Sequence, residues 1–168
     1  CIVIYNPGGA TDMMARVTGS KASEILEQVI IYRNMPGAGG LVGLEYAANS
    51  KPDGYTFATL GAGELCSMVL SKDINFSLDS FDPIAGATNE PTMMIANAEK
   101  FKDLDDLIAQ AKANPGELTY ASFGAKTTSH LGGELIKLET GIDMIHVPFS
   151  GGADALAAVL GGHVDAAI

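Results

Sequence analysis

The chain has 168 residues, 47% of them hydrophobic, which suffices for a packed core in one domain or two small lobes. A formal charge of -10, with only Arg16 and Arg33 as arginines, argues against a nucleic-acid surface and against a polybasic membrane anchor. No stretch is long and apolar enough to span a bilayer.

Residues 2–5 (Ile2, Val3, Ile4, Tyr5) form an apolar, largely β-branched run and predict a buried parallel strand. The turn Asn6-Pro7-Gly8-Gly9-Ala10-Thr11-Asp12 follows, and then Met14, Ala15, Val17, Ala22, Ile25 and Leu26 recur at helical spacing. Thr11 or Asp12 is expected to cap that helix. The turn joins a strand's carboxyl end to a helix's amino end, the edge of an open α/β sheet at which ligands bind and free N–H groups attract anions. Gly8 and Gly9 carry no Cβ, so an anion can approach the backbone closely.

Residues 29–32 predict a second strand, and the glycine-rich loop Arg33-Asn34-Met35-Pro36-Gly37-Ala38-Gly39-Gly40 feeds a helix over 41–48. Asp53-Gly54 turns the chain into a third strand over 55–60, and Gly61-Ala62-Gly63-Glu64 leads into a short helix around 65–70. Three successive strand-helix units favour a right-handed, mostly parallel sheet with helices on both faces. Residues 81–88 and 92–96 read as two further strands, with Asn89-Glu90-Pro91 as a hinge or crossover between a first lobe (1–90) and a second (91–168).

In the second half, Leu104, Leu107, Ile108 and Ala111 mark an amphipathic helix whose acidic first turn, Asp103, Asp105 and Asp106, suits the helix dipole. Asn114-Pro115-Gly116 ends it. A strand over 118–122 runs into the loop 123–130 and a helix through Leu131, Leu135, Ile136 and Leu138. A strand over 144–147, the loop Pro148-Phe149-Ser150-Gly151-Gly152, a helix over 153–160 and a strand starting at Val164 complete the series. The chain starts abruptly in one strand and stops on another, so both an upstream segment and a C-terminal continuation are expected.

Cys1 and Cys66 are too few for a disulfide framework, have no zinc-ligand spacing, and read as small core residues. His130, His146 and His163 lack metal-ligand spacing, and the Met13-Met14 and Met93-Met94 pairs read as core filling, so no metal or cofactor is expected. Gly37-Ala38-Gly39-Gly40 lacks the full GxGxxG pattern of a dinucleotide loop, and Glu45 is too close to serve as the ribose-binding acid. Ser129-His130 invites a hydrolase reading, but GxSxG is absent and a triad is defined by geometry. His130 reads better as an anchor that hydrogen-bonds its loop.

In this order the pieces resemble the periplasmic solute-binding proteins of tripartite tricarboxylate transporters, the TctC or Bug family. The turn 6–12 is similar to that family's PPGGxxD loop, the segment 33–40 to its NRPGAGG, and Pro52-Asp53-Gly54-Tyr55-Thr56 to its PDGYT. Tyr120-Ala121-Ser122 through Ser129-His130-Leu131 looks like its YAS-GxGxxSHL stretch. His146-Val147-Pro148-Phe149 with Ser150-Gly151-Gly152, then 160–165, resembles its closing HVPY-x-G and LLGGxVD series.

The resemblance implies an α/β, two-lobed periplasmic-binding-protein-like fold with mostly parallel sheets. It implies a non-catalytic protein that captures a small mono-, di- or tricarboxylate in a cleft between its lobes and delivers it to the permease subunits of a membrane transporter. A sensor that reports the same ligand to a signalling partner is the alternative. Carried over, Tyr5, Gly9, Ala10, Thr11 and Asp12 line one side of the site with Gly61, Ala62 and Gly63 nearby, and Ser122, Gly124, Thr127, Thr128, Ser129 and Phe149 line the other. Family members continue past this endpoint, so the C-terminal part of the second lobe is expected to lie beyond it. The sequence departs from the family pattern at Asn6, at Phe149 in place of tyrosine, and at Lys126 in place of a small residue; Lys126 either supplies a cation to an acidic ligand or points to solvent.

Overall fold

The computed structural model describes residues 1–70, 74–89 and 91–168, which fall into two compact units, Cys1–Glu90 and Pro91–Ile168. Of the expected linker Asn89-Glu90-Pro91, Glu90 lies outside the described residues.

In the first unit β1 (Ile2–Val3) is followed by α1 (Ala10–Leu26), β2 (Arg33–Asn34), α2 (Leu41–Ala48), β3 (Ala58–Thr59) and α3 (Ala62–Val69). The three strands are parallel in the order β2-β1-β3, with Ile2 opposite Arg33 on one side and Ala58 on the other. The chain therefore leaves β1 to one side and returns to the other, which puts the turn after β1 at the switch point of the sheet, where a crevice opens at the carboxyl edge. Ile2, Val3, Ile4 and Tyr5 are all buried, as a central strand covered on both faces requires.

The glycines of the second loop serve that packing. A Cβ on Gly40, whose φ is +103°, would stand 2.6 Å from Ile4 Cδ1, and one on Gly43 would stand 3.0 Å from both Ile4 Cγ2 and the Met35 carbonyl oxygen. Their absence lets α2 sit directly against the chain that leaves β1, which accounts for the glycine run without a dinucleotide.

The second unit contains β4 (Ile95–Ala96), α4 (Leu104–Ala113), β5 (Thr119–Ser122), α5 (Thr128–Thr140), β6 (Ile145–Pro148), α6 (Gly152–Leu160) and β7 (Ala166–Ala167). The sheet order is β4-β7-β5-β6, parallel except for β4 against β7. Here β5 takes the central place that β1 holds in the first unit, with the next two strands on opposite sides of it, so the turn after β5 is again at a switch point. Alternate strand residues supply two cores. Leu118, Tyr120, Ala166 and Ile168 pack with Phe101, Leu107 and Ala111 on one face, and Ala121 and Ala167 pack with Ala155, Ala158 and Val159 on the other. Asp103 caps α4 by accepting the Asp106 N–H, as its acidic start suggests.

Several expectations fail for identifiable reasons. Residues 29–32 are not a strand: Val29 is 89% and Ile31 77% exposed, and the ladder with β1 is taken up by the next two residues, Arg33 and Asn34. β-Branched composition suits a strand, but partners decide where one forms. The third strand is likewise trimmed to Ala58–Thr59, with Tyr55 outside it and exposed. Residues 81–88 form no strand; a short 3-10 turn, Leu78–Ser80, precedes them, and 82–89 are exposed, with Pro83 unable to donate to a ladder. Neither Thr11 nor Asp12 caps α1, which begins at Ala10 after Gly9 with no side-chain cap. Cys66, Met13 and Met93 are exposed, not core residues.

Tyr120 lies flat against α5 because Gly133 leaves room: a Cβ there would stand 2.2 Å from the buried ring's Cε2. Gly133→Ala is therefore expected to destabilise the second unit by about 1–3 kcal/mol despite alanine's better helix propensity. Urea denaturation reads this directly, and an unchanged or raised midpoint would refute the close packing.

Candidate functional site

The turn after β1 is held from within by Asp12. Its buried carboxylate, 3% exposed, accepts the Gly8 N–H at 3.0 Å, the Arg16 Nε–H at 2.9 Å and the Asn34 side-chain amide at 2.9 Å. Asn34 also donates to the Tyr5 carbonyl at 2.9 Å, tying the end of β2 to the end of β1. The Arg16 guanidinium, with the Gly8 and Asn34 donors, holds the Asp12 carboxyl well below the usual carboxylate range against the opposing effect of burial. Asp12 is thus a brace for the turn, with its charge already answered. The start of α1 is left to other anions, since its Gly9 cap offers no side-chain acceptor to the first helical N–H groups. A Cβ on Gly9 would meet only the Asn6 carbonyl oxygen, at 3.8 Å, so the approach is open.

The start of α3 differs. Gly61 precedes it, and the position of a Gly61 Cβ is occupied by Glu64, whose Oε2 would lie 2.0 Å away. Glu64 is itself buried, at 6% exposure. Burial first, and Glu64 second, push the Tyr5 phenol upward, so Tyr5 stays a neutral hydroxyl. The chain's own carboxylate therefore stands beside Gly61, Ala62 and Gly63, and a ligand carboxylate is better received at the start of α1.

After β5 the turn is framed by hydroxyls. Thr127 caps α5 by accepting the His130 N–H and donates to the Gly124 carbonyl at 2.7 Å. Ser129 Oγ accepts the Phe123 N–H at 3.0 Å and lies 3.0 Å from Thr127 Oγ1. Ser122 Oγ accepts the Gly124 N–H at 3.1 Å and stands 2.6 Å from His146 Nε2. All three hydroxyl residues are buried, whereas Thr128 is half-buried and Ala125 and Lys126 are exposed. Phe149 donates its N–H to the Ser122 carbonyl at 2.9 Å and, like Phe123 and Val147, packs half-buried against the core around Ala121 and Ala155.

The structure thus brings the sequence-derived residues together in two turns and divides their work: Asp12, Ser122, Thr127 and Ser129 form the frame, while Gly9, Ala10, Thr11 and Thr128 start the helices. Ser129 and His130 are not set as nucleophile and base. Ser129 faces Phe123 and Thr127, and His130 Nδ1 accepts the Lys126 N–H at 3.0 Å, the anchoring role expected of it. Arg16 and Asn34 were missed as site residues. Asn34 lies 22 positions from Asp12, and no local pattern announces that contact.

Among the described residues no group of three His, Cys, Asp or Glu side chains is placed to hold a metal, and no helix is long and apolar enough to cross a membrane. A groove of about 650 Å³ in the first unit is lined by Met35, Val42, Tyr46, Asn49 and Tyr55 together with the acids Glu45 and Asp53. Lys51 lines it too, and it contains none of the sequence-derived site residues.

With this geometry in view, known proteins give a consistent match. The model of the tripartite tricarboxylate transporter family receptor, TctC, matches residues 14–168. A UPF0065 protein of Bordetella pertussis is 38% identical over 169 residues, covering 99% of this chain and 52% of its own length. MatC from Rhodopseudomonas palustris, solved with bound malate, superposes with a TM-score of 0.88 at 30% identity, covering 98% of this chain and 57% of that one. Another R. palustris protein, solved with adipate, gives a TM-score of 0.77 at 30% identity, covering 98% of this chain and 56% of that one. The chain spans about half the length of the curated relatives it matches.

Asp12→Ala strands the Gly8 and Asn34 donors and is expected to destabilise the first unit by about 2–3 kcal/mol in urea denaturation. Because the carboxyl titrates lower in the folded chain than in the unfolded one, its contribution is complete above the unfolded value, about pH 4, and is lost as pH falls through the lower folded value. Asp12→Asn should flatten that acid limb. An acid limb identical to that of the parent chain would refute the brace.

Proposed function

The chain belongs to the tripartite tricarboxylate transporter receptor family, and from that premise we propose that it captures a small mono-, di- or tricarboxylate outside the cytoplasm for delivery to a membrane permease. The observation that carries this reading is the start of α1: an open glycine cap at a sheet switch point, with the carboxylate of Asp12 turned inward and paired with Arg16. Malate in MatC and adipate in the second R. palustris protein make carboxylates the ligand class to expect.

The proposed contacts are the backbone N–H groups at Gly9, Ala10 and Thr11 and, in the second unit, those of Thr128 and Ser129 with the Thr128 hydroxyl. Such donors replace an anion's hydration shell without needing a net positive protein, because the attraction is local to the helix ends. Tyr5, Phe149, Ser122, Gly124 and Thr127 shape the two turns. The segment 61–63, with Glu64 beside it, is assigned to a part of the ligand other than its carboxylate. The proposed act is binding, followed by transfer to the permease.

A ligand that binds only the folded state raises the melting temperature by mass action. Thermal-shift screening of carboxylates, with sugars and amines as controls, should show a rise for at least one carboxylate. Gly9→Leu should remove that rise while leaving the unliganded melting temperature within a few degrees, since nothing but the Asn6 carbonyl lies near its Cβ. Stabilisation by a sugar or amine alone would overturn the assignment of ligand class.

A further inference from the structure

The turn after β5 contains a non-glycine residue in the left-handed region, Lys126 at φ +65°. Side chains rarely adopt that conformation, so something must hold the turn there. Lys126 is tied back to the helix by a hydrogen bond from its N–H to Nδ1 of His130, at 3.0 Å. A ring nitrogen accepts only while it carries no proton, so this bond requires neutral His130 with its proton on Nε2. Protonation of Nδ1 would set two donors against each other and release Lys126.

The groups around the ring are placed to let that happen. His146 of β6 stacks on His130, with ring centroids 4.1 Å apart, and its Nε2 is engaged with Ser122 of β5. Burial first, and His130 next, push the His146 imidazole down, which disfavours its charged form. One turn along α5, Glu134 receives the Tyr120 hydroxyl at 2.7 Å and Lys137 Nζ at 3.2 Å, and the Tyr120 bond above all keeps its carboxyl below the usual range. An ionised Glu134 is therefore at hand to accompany a positive His130, while Lys137 moderates the attraction and itself faces Asp143 at 3.7 Å.

From this juxtaposition we infer that His130 is a positioning residue: its unprotonated Nδ1 fixes the 123–127 turn through Lys126, so acidification loosens the turn and weakens carboxylate binding. The inference rests on the carboxylate-binding reading for its consequence, but not for the hydrogen bond itself. His130 touches no ligand in this scheme; it acts through Lys126.

The test uses two readouts on the same protein. Amide hydrogen exchange of Lys126, without ligand, should show protection at pH 8 that falls steeply by pH 5.5. Malate and adipate affinities, measured calorimetrically, should fall by roughly tenfold over the same range, the scale of one lost hydrogen bond. His130→Asn can offer an amide oxygen where Nδ1 lies but does not titrate, so it should keep affinity near the pH 8 value and flatten both profiles. His130→Ala should lose roughly fivefold or more at pH 8, and His146→Gln should leave the Lys126 exchange profile in place. Ligand ionisation is common to all variants and cancels in the comparison.

An exchange profile for Lys126 that is flat in the parent chain, or unchanged in His130→Asn, overturns the inference. If Lys126 exchange follows pH as expected while neither dicarboxylate binds at any pH, the positioning role stands and the carboxylate reading falls.

Discussion

Three donors converge on one buried carboxylate, Asp12, and the first unit's binding turn takes its shape from that convergence. Gly8 belongs to the turn, Arg16 to α1 and Asn34 to β2, so one side chain fastens the turn to both its own helix and the neighbouring strand. The same bonds satisfy the negative charge that would otherwise repel an anionic ligand at this edge. A turn stiffened in this way can leave the first N–H groups of α1 without a side-chain cap and still keep one shape. Preorganised donors of this kind bind an anion with little ordering cost.

The second unit meets the same demand with neutral groups. Its turn also follows the central strand of a sheet whose next two strands lie on opposite sides. Here Ser122, Thr127 and Ser129 close a network of hydroxyls and backbone groups below the start of α5. Hydroxyls both donate and accept, so they satisfy the buried backbone of Phe123 and Gly124 without introducing charge. The second turn therefore hydrogen-bonds to the imidazoles of His130 and His146, where the first is held by the Asp12–Arg16 ion pair. The two turns are alike in topology and unlike in their expected response to pH.

The order of most strands and helices in both units was legible from apolar runs broken by glycine-rich turns, and so was the position of both candidate turns at strand carboxyl ends. What local pattern could not supply was partnership. Residues 29–32 look more like a strand than Arg33 and Asn34 do, yet pairing with β1 selects the polar dipeptide because Asn34 is fixed there by Tyr5 and Asp12. Residues 81–88 carry strand-like composition and, among the described residues, have no ladder to join. The role of Asp12 as a brace was not legible, since it is set by donors 4 and 22 residues away in sequence. The hydroxyl cluster was recognised by type, while its inward direction follows from burial that only the packed β5, β6 and α5 create.

The central claim is that the backbone donors opening α1 and α5 receive the ligand's negative charge. Site-resolved titration of malate into the isotope-labelled protein, followed through its backbone amide resonances, tests it most directly. The largest shifts are expected on Gly9, Ala10, Thr11, Thr128 and Ser129, with small shifts at Tyr46 and Tyr55 in the groove of the first unit. Shifts concentrated in that groove, with the amides of both turns unmoved at saturation, would contradict it.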